Sequence, residues 1–291
     1  MPKQNPNSVQ CGLIGLGRWG KNYQRLLGEM KGVALRATAN HSNTEEIFSN
    51  PEIDAVFIIT PPSTHYALIK SGLESNKHIF VEKPMVLNVS DAKKLETLVK
   101  KSGTVFMVGY QYLFNENISL IKKEIEKGAF GKIISVISEH VLSPSRPDVN
   151  IFWDSASHPL SVFQYLFAPQ KLTAAEGEMA HDTASVQIQF ENAPTLQIVA
   201  SCVGQTKVRK LTIVGEKATA VLNETLEKNK LTITKNGKTS YPEIDATEPL
   251  RSELEHFIEW IQTGTTPLTD INFGYQITEW LETISNRITH Q

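Results

Sequence analysis

Residues 9–27 read as a strand, a glycine-rich turn and a helix. No other feature constrains this chain as strongly. The turn is Gly15-Leu16-Gly17-Arg18-Trp19-Gly20. The apolar run Cys11-Gly12-Leu13-Ile14 leads into it, and Tyr23, Leu26 and Leu27 follow at helical spacing. Each glycine has its own reason. Gly15 permits a tight turn, Gly17 lets backbone N–H groups approach a pyrophosphate, and Gly20 lets helix and strand pack closely. A pyrophosphate there would rest on the positive end of the helix. The pattern in this position predicts a dinucleotide site. The alternative is a glycine-rich turn that holds nothing.

Strand and helix signals then alternate. Strands are expected at 10–14, 33–39, 55–60, 78–81 and 105–108, and helices at 20–30, 44–49, 65–75 and 89–102. The runs Ala55-Val56-Phe57-Ile58-Ile59 and Ile79-Phe80-Val81 are apolar throughout. Such strands suit a parallel sheet covered on both faces. Alternation of this kind implies a right-handed, doubly wound α/β domain.

The pattern changes near Asn115, which sets expected domains at 1–115 and 116–291. The second part has a helix at 117–127, a strand at 132–142, a Pro-rich loop at 143–149 and a helix near 157–167. Strands follow at 185–191, 195–203, 208–215, 218–223 and 231–235. Asn236-Gly237 signals a hairpin. The alternation Val186-Gln187-Ile188-Gln189-Phe190 marks a half-buried antiparallel strand. Helices at 250–263 and 273–289 close the chain. The second domain is therefore expected to be α+β, with a large, mostly antiparallel sheet and helices on one face. Its last helix can pack back on the first domain. The stretch 195–200 carries apolar residues on both faces, which favours a homodimer or homotetramer through this sheet.

Composition narrows the partners. A length of 291 residues accommodates two domains. A net charge of -2 selects neither nucleic acid nor an anionic membrane. The two cysteines, Cys11 and Cys202, fall in expected strands, so a disulfide framework is not expected and a cytoplasmic location fits. No apolar run approaches the ~20 residues of a membrane helix, and the polar start has no signal-peptide core.

Three side chains stand out for chemistry. Lys83, in Glu82-Lys83-Pro84, follows an expected parallel strand, at the sheet end where ligands bind. Pro84 biases Lys83 toward an extended backbone. A lysine beside a cofactor can hydrogen-bond a substrate hydroxyl and, when desolvated, relay a proton. The alternative is a solvated lysine. Asp154 and His158 are four apart at the expected helix start and so share a face. The carboxylate can orient the imidazole, which can then accept an alcohol proton as hydride leaves carbon. The alternative is that Asp154 is only an N-cap and His158 a packed core residue.

These stretches, with Asn50-Pro51-Glu52-Ile53-Asp54-Ala55-Val56, Thr60-Pro61-Pro62-Ser63-Thr64-His65, Lys77 to Pro84 and Asp154-Ser155-Ala156-Ser157-His158, resemble the Gfo/Idh/MocA family of NAD(P)-dependent oxidoreductases. The resemblance runs in the same order over most of the chain. It implies a Rossmann-like first domain and a catalytic lysine, aspartate and histidine at Lys83, Asp154 and His158. It implies a cofactor set of Gly15, Gly17, Arg18, Trp19, Gly20, Thr60, Pro61, His65, Glu82 and Lys83. Implied substrates are sugars, cyclitols and their nucleotide-linked forms, oxidised at a secondary alcohol. Residues 153–161 and 207–215 resemble members linked to surface-polysaccharide sugar biosynthesis, which points toward a nucleotide sugar. A catalytically weak binding or regulatory protein on the same scaffold is the competing reading.

The chain also departs from the family pattern. Asn40 replaces the acid expected to hold the adenosine ribose, so Asn40, His41 and Ser42 leave both NAD and NADP open. The span from 41 to 50 has room for a short helix and little more, so the first sheet is expected to be shortened after its second strand. Asn76 stands where a glycine is usual, and asparagine tolerates a left-handed backbone. After Gly109, Tyr110 and Tyr112 replace the usual arginines. They are candidates to line the substrate side, with core packing as the alternative, and the loss of cations argues against a strongly acidic substrate. Pro159 after His158 is acceptable in a first helical turn. Lys207, Arg209 and Lys210 read as a solvated strand face. His140 and His181 lack ligand spacing, so no metal is expected.

Overall fold

The computed structural model describes residues 8–40, 43–142, 148–169, 171–244 and 247–290. In chain order the elements are β1 (Val9–Ile14), α1 (Gly20–Glu29), β2 (Val33–Ala39), α2 (Glu45–Ser49), β3 (Ala55–Ile58), α3 (His65–Glu74), β4 (His78–Glu82), α4 (Val89–Ser102) and β5 (Phe106–Gly109). They continue with α5 (Glu116–Glu126), β6 (Ile133–Val141), α6 (Ile151–Phe167), β7 (Leu172–Met179), β8 (Thr183–Phe190), β9 (Thr195–Ser201), β10 (Val208–Gly215), β11 (Ala218–Asn223), β12 (Leu231–Lys235), β13 (Lys238–Ser240), α7 (Pro249–Thr263), α8 (Ile271–Arg287) and β14 (Thr289–His290). The chain divides into two compact units. One holds residues up to Tyr110 together with Leu250–Glu279, and the other holds Gln111–Pro249 with the residues from Trp280 on.

The first unit is a parallel sheet of five strands in the order β2-β1-β3-β4-β5. Central β3 is buried at every residue, as its unbroken apolar run requires, while edge strand β2 is half-exposed. Among the described residues of the span after β2, α2 is the one regular element, so β2 closes the sheet. Local chemistry sets the helix ends. The Asn88 side chain accepts from Asp91 N at 2.8 Å to start α4, and Gly103 at φ 66° stops it. Asn76 after α3 takes φ 55°, the left-handed backbone expected of it. Helix α7 belongs to this unit's core. Phe257 packs edge-on against Phe57 at 5.3 Å and Phe80 at 5.5 Å.

The second unit is a nine-stranded sheet in the order β13-β12-β11-β10-β6-β9-β8-β7-β14. Its pairs are antiparallel except β6–β9 and β7–β14. One face packs on α6 and the end of α8, where Phe190 meets Phe163 at 5.0 Å and Trp280 at 4.7 Å. Leu196, Ile198 and Ala200 of β9 are buried, whereas Val199 on the opposite face is exposed.

Two expectations need correction. Helix α6 starts at Ile151, not near 157, capped by Asn150, whose Oδ1 accepts from Trp153 N at 3.0 Å. Ile151, Phe152 and Trp153 are buried, and their burial favours the added turn. Pro159 therefore lies inside the helix rather than in its first turn, and Asp154 is not the N-cap. Strand β7 was not anticipated. Its Ala174-Ala175-Glu176-Gly177 stretch has weak strand propensity, and pairing with β8 holds it in the sheet. Among the described residues no helix is long and apolar enough to cross a membrane.

Candidate active site

In the first unit, four predicted segments gather at the carboxyl ends of the parallel strands. Gly15 has φ 104°, and a Cβ there would strike the backbone of Ile59. A Cβ on Gly20 would strike Gly15 O, so the helix start and the turn are in direct contact. Nothing lies within 4 Å of the Cβ position of Gly17, which faces open space. Among the described residues α1 has no side-chain cap. A tight turn, an open glycine and a helix end without a side-chain cap suit a pyrophosphate. Gly15 N donates to Ala39 O at 2.8 Å and Ile59 N to Ile14 O at 2.8 Å, which brings exposed Asn40 and the Thr60–Pro61 segment beside the turn. His41 lies outside the described residues.

Glu82 joins the turn to the fourth strand. Its Oε1 accepts from Trp19 Nε1 and from the Tyr23 hydroxyl, each at 2.5 Å, and its Oε2 accepts from Lys83 N at 3.0 Å. Burial raises the carboxyl above the ordinary glutamate range, and Lys83 and the three donors oppose the rise. Lys83 is half-buried, and its peptide bond to Pro84 is cis. His65 needs correction as a cofactor contact. It is fully buried, with Nε2 2.9 Å from Thr60 O and Nδ1 3.0 Å from Pro84 O, so it braces the ends of two strands from inside.

In the second unit, His158 opens onto a small cleft. Its wall includes Tyr112, Ser138, His140, Arg209 and Glu224. The Tyr112 ring centre is 4.8 Å from that of His158, and His140 is 6.0 Å from His158. Strand register explains the set. Arg209 lies opposite His140, and Leu211 opposite both Ser138 and Leu222. Opposed residues share a face, and α6 lies against it. Burial and the negative charge of Glu224 push the Tyr112 phenol up to about 12, opposed by Arg209. Arg209 Nη1 donates to Val141 O at 3.0 Å and Val208 O at 2.8 Å, and Asn115 Nδ2 donates to Glu224 Oε1 at 3.0 Å. Asp154 is half-buried one helical turn before His158. An imidazole beside a phenol, a guanidinium and a carboxylate can exchange a proton with a polyhydroxylated molecule and hydrogen-bond its other hydroxyls.

The two tyrosines have separated. Tyr112 lines this cleft. Tyr110 is buried in the first unit with its ring 5.5 Å from that of Phe273, so it is core and not a substrate contact. Arg209, expected on a solvated strand face, lies in the cleft wall instead. His140, Ser138 and Glu224 were not singled out for the cleft. Ser138 and His140 lie two apart on β6 and Glu224 directly follows β11, and their register with β10 was not legible.

The sequence matches two family models. One, described as the oxidoreductase family, NAD-binding Rossmann fold, covers residues 31–110. The other, the oxidoreductase family, C-terminal alpha/beta domain, covers residues 122–290. The chain is 27% identical to scyllo-inositol 2-dehydrogenase (NAD(+)) of Bacillus subtilis, over 91% of this chain and 90% of the relative. It is 26% identical to inositol 2-dehydrogenase of Rhizobium meliloti, over 88% and 90%. Its fold is similar to that of a 3-ketoreductase from Actinomadura kijaniata solved with TDP-benzene and NADP. There the TM-score is 0.87 at 14% identity, over 98% of this chain and 99% of the other.

Proposed function

The chain belongs to the Gfo/Idh/MocA oxidoreductase family, and on that premise we propose that it transfers a hydride between a secondary alcohol of a sugar, cyclitol or nucleotide sugar and NAD or NADP. The observation that carries this reading is the cleft around His158, where Tyr112, His140, Arg209 and Glu224 bring hydrogen-bonding groups into a largely apolar wall. His158 takes the hydroxyl proton, Asp154 holds the imidazole, and Lys83 polarises the carbinol oxygen. Tyr112, His140, Arg209 and Glu224 orient the remaining hydroxyls. Gly15, Gly17, Arg18, Trp19 and Gly20, with Asn40, Thr60, Pro61, Glu82 and Lys83, form the cofactor contacts. A bound nicotinamide supplies the hydride acceptor.

Asn40 supports either cofactor, because it can hydrogen-bond a ribose and carries no charge to repel a 2′-phosphate. Assembly of two or four copies through the second sheet, in the cytoplasm, belongs to the same reading. The exposed Val199 on the open face of β9 supports it.

The test is reduction of each cofactor, read at the reduced nicotinamide band, with a panel of cyclitols, sugars and nucleotide sugars. His158→Asn and Lys83→Ala are each expected to lower kcat roughly 10²- to 10⁴-fold, the usual worth of a positioned acid–base group. Full turnover in either variant excludes the role assigned to that residue. Sedimentation reads the assembly.

A further inference from the structure

Helix α7 carries an acid where the fold would accept a neutral side chain. Glu253 lies one turn before Phe257 on the same helix face, so the packing that buries Phe257 buries Glu253 too. Glu253 is 0% exposed, and among the described residues neither of its carboxyl oxygens has a hydrogen-bond partner. The Tyr110 backbone N–H gives it partial compensation, but that N–H already donates to Val108 O at 3.0 Å. Glu82 is the charged group that acts on it. Tyr23 of α1 feels both carboxyls. On α7 itself, Arg251 pairs with Glu29 and His256 with Glu259, both near the surface. Lys83 acts on the Glu82 side of the pair.

The half-buried Glu82 and the buried Glu253 are not equivalent. Glu82 has three donors and holds Trp19, Tyr23 and the Lys83 amide. Glu253 has none of these. A carboxyl out of water, with so little hydrogen bonding and a second carboxyl acting on it, favours the neutral acid.

We propose that Glu253 is a positioning residue for the cofactor site: as the neutral acid it leaves Glu82 to hold the glycine turn and Lys83, and on ionising it repels Glu82 and loosens both. Burial first, then the charge of Glu82, raises Glu253 well above the ordinary glutamate range, so it gives up its proton later than an ordinary glutamate as pH rises. The inference rests on reading the glycine turn as the dinucleotide site.

The experiment measures binding of NADH and NADPH to the full chain by calorimetry from about pH 6 to about pH 9.5. In the natural protein Kd is expected to rise about fivefold or more across that range, and in Glu253→Gln the ratio of the two Kd values is expected to fall to about one. The same alkaline rise in Glu253→Gln overturns the proposal, as does a flat profile in the natural protein. Should Glu253→Gln not fold, Glu253→Met, also neutral, makes the same comparison. A second readout needs no cofactor. The Trp19 contribution to emission, taken as the difference from Trp19→Phe, is expected to change over the same range in the natural protein and not in Glu253→Gln. If neither dinucleotide binds at any pH, the cofactor reading falls and the emission arm alone decides. A change that requires Glu253 supports the buried pair, and its absence overturns it.

Discussion

The indole N–H of Trp19 donates to Glu82 Oε1 at 2.5 Å, and this bond fastens the glycine turn to the end of the fourth parallel strand. Tyr23, one turn into α1, donates to the same oxygen. Turn, helix and strand therefore share one half-buried acceptor. Trp19 itself is 40% exposed, so its bond is worth the lower end of the range for bonds to a charged group. Trp19→Phe is expected to weaken dinucleotide binding by about tenfold, about 1.4 kcal/mol. Calorimetric titration with both cofactors checks this, and an unchanged Kd contradicts it.

Asn76 ends helix α3 in the left-handed region at φ 55°, with its N–H bonded to Leu73 O at 3.0 Å. A β-branched side chain cannot take this backbone cheaply. Asn76→Val is expected to cost about 1–2 kcal/mol of stability, while Asn76→Gly leaves it near the natural value. Urea midpoints at constant m decide it. Equal midpoints for the valine and glycine variants would refute the backbone argument.

Arg209 and Tyr112 share the wall of the His158 cleft. Neither is assigned the proton transfer, so their loss should act mainly on binding. Arg209→Ala and Tyr112→Phe are each expected to raise the substrate KM by about tenfold, with a smaller fall in kcat. Steady-state kinetics on the best substrate of the panel separates the two. A fall in kcat with KM unmoved would assign these side chains to the transition state instead.

Glu82 and Glu253 are both raised above the ordinary glutamate value of 4.5, in each case first by burial. The folded state thus binds these protons more tightly than the unfolded chain. Their contribution to stability is full below the unfolded value and is lost as pH rises through the folded values. The stability of Glu253→Gln relative to the natural protein is therefore expected to increase steadily from about pH 5 to about pH 8. Thermal midpoints in matched buffers measure it. A difference that does not change with pH runs against the assignment.

Much of the first unit was legible in the chain. The glycine turn, the two apolar strands and the helix over 89–102 are each specified by neighbours within a few residues, through period, capping and turn chemistry. The short span after Asn40 allowed one helix, α2, and the sheet indeed ends at β2. The start of α6 was misplaced because Pro159 invites a helix start, whereas the buried Ile151-Phe152-Trp153 run extends the helix by more than a turn.

By itself the sequence determined the order of most elements, the glycine turn and the residue types at Lys83, Asp154 and His158. Only the tertiary structure decided that Arg209 stands opposite His140 beside His158, that Tyr110 is core while Tyr112 is not, and that Glu253 lies buried in the first unit's core. The division follows from the range of the forces. Hydrophobic period and backbone preference act between near neighbours, so they can be read along the chain. Strand register and the burial of a charge arise from contacts between residues far apart in sequence, and these exist only once the chain has folded.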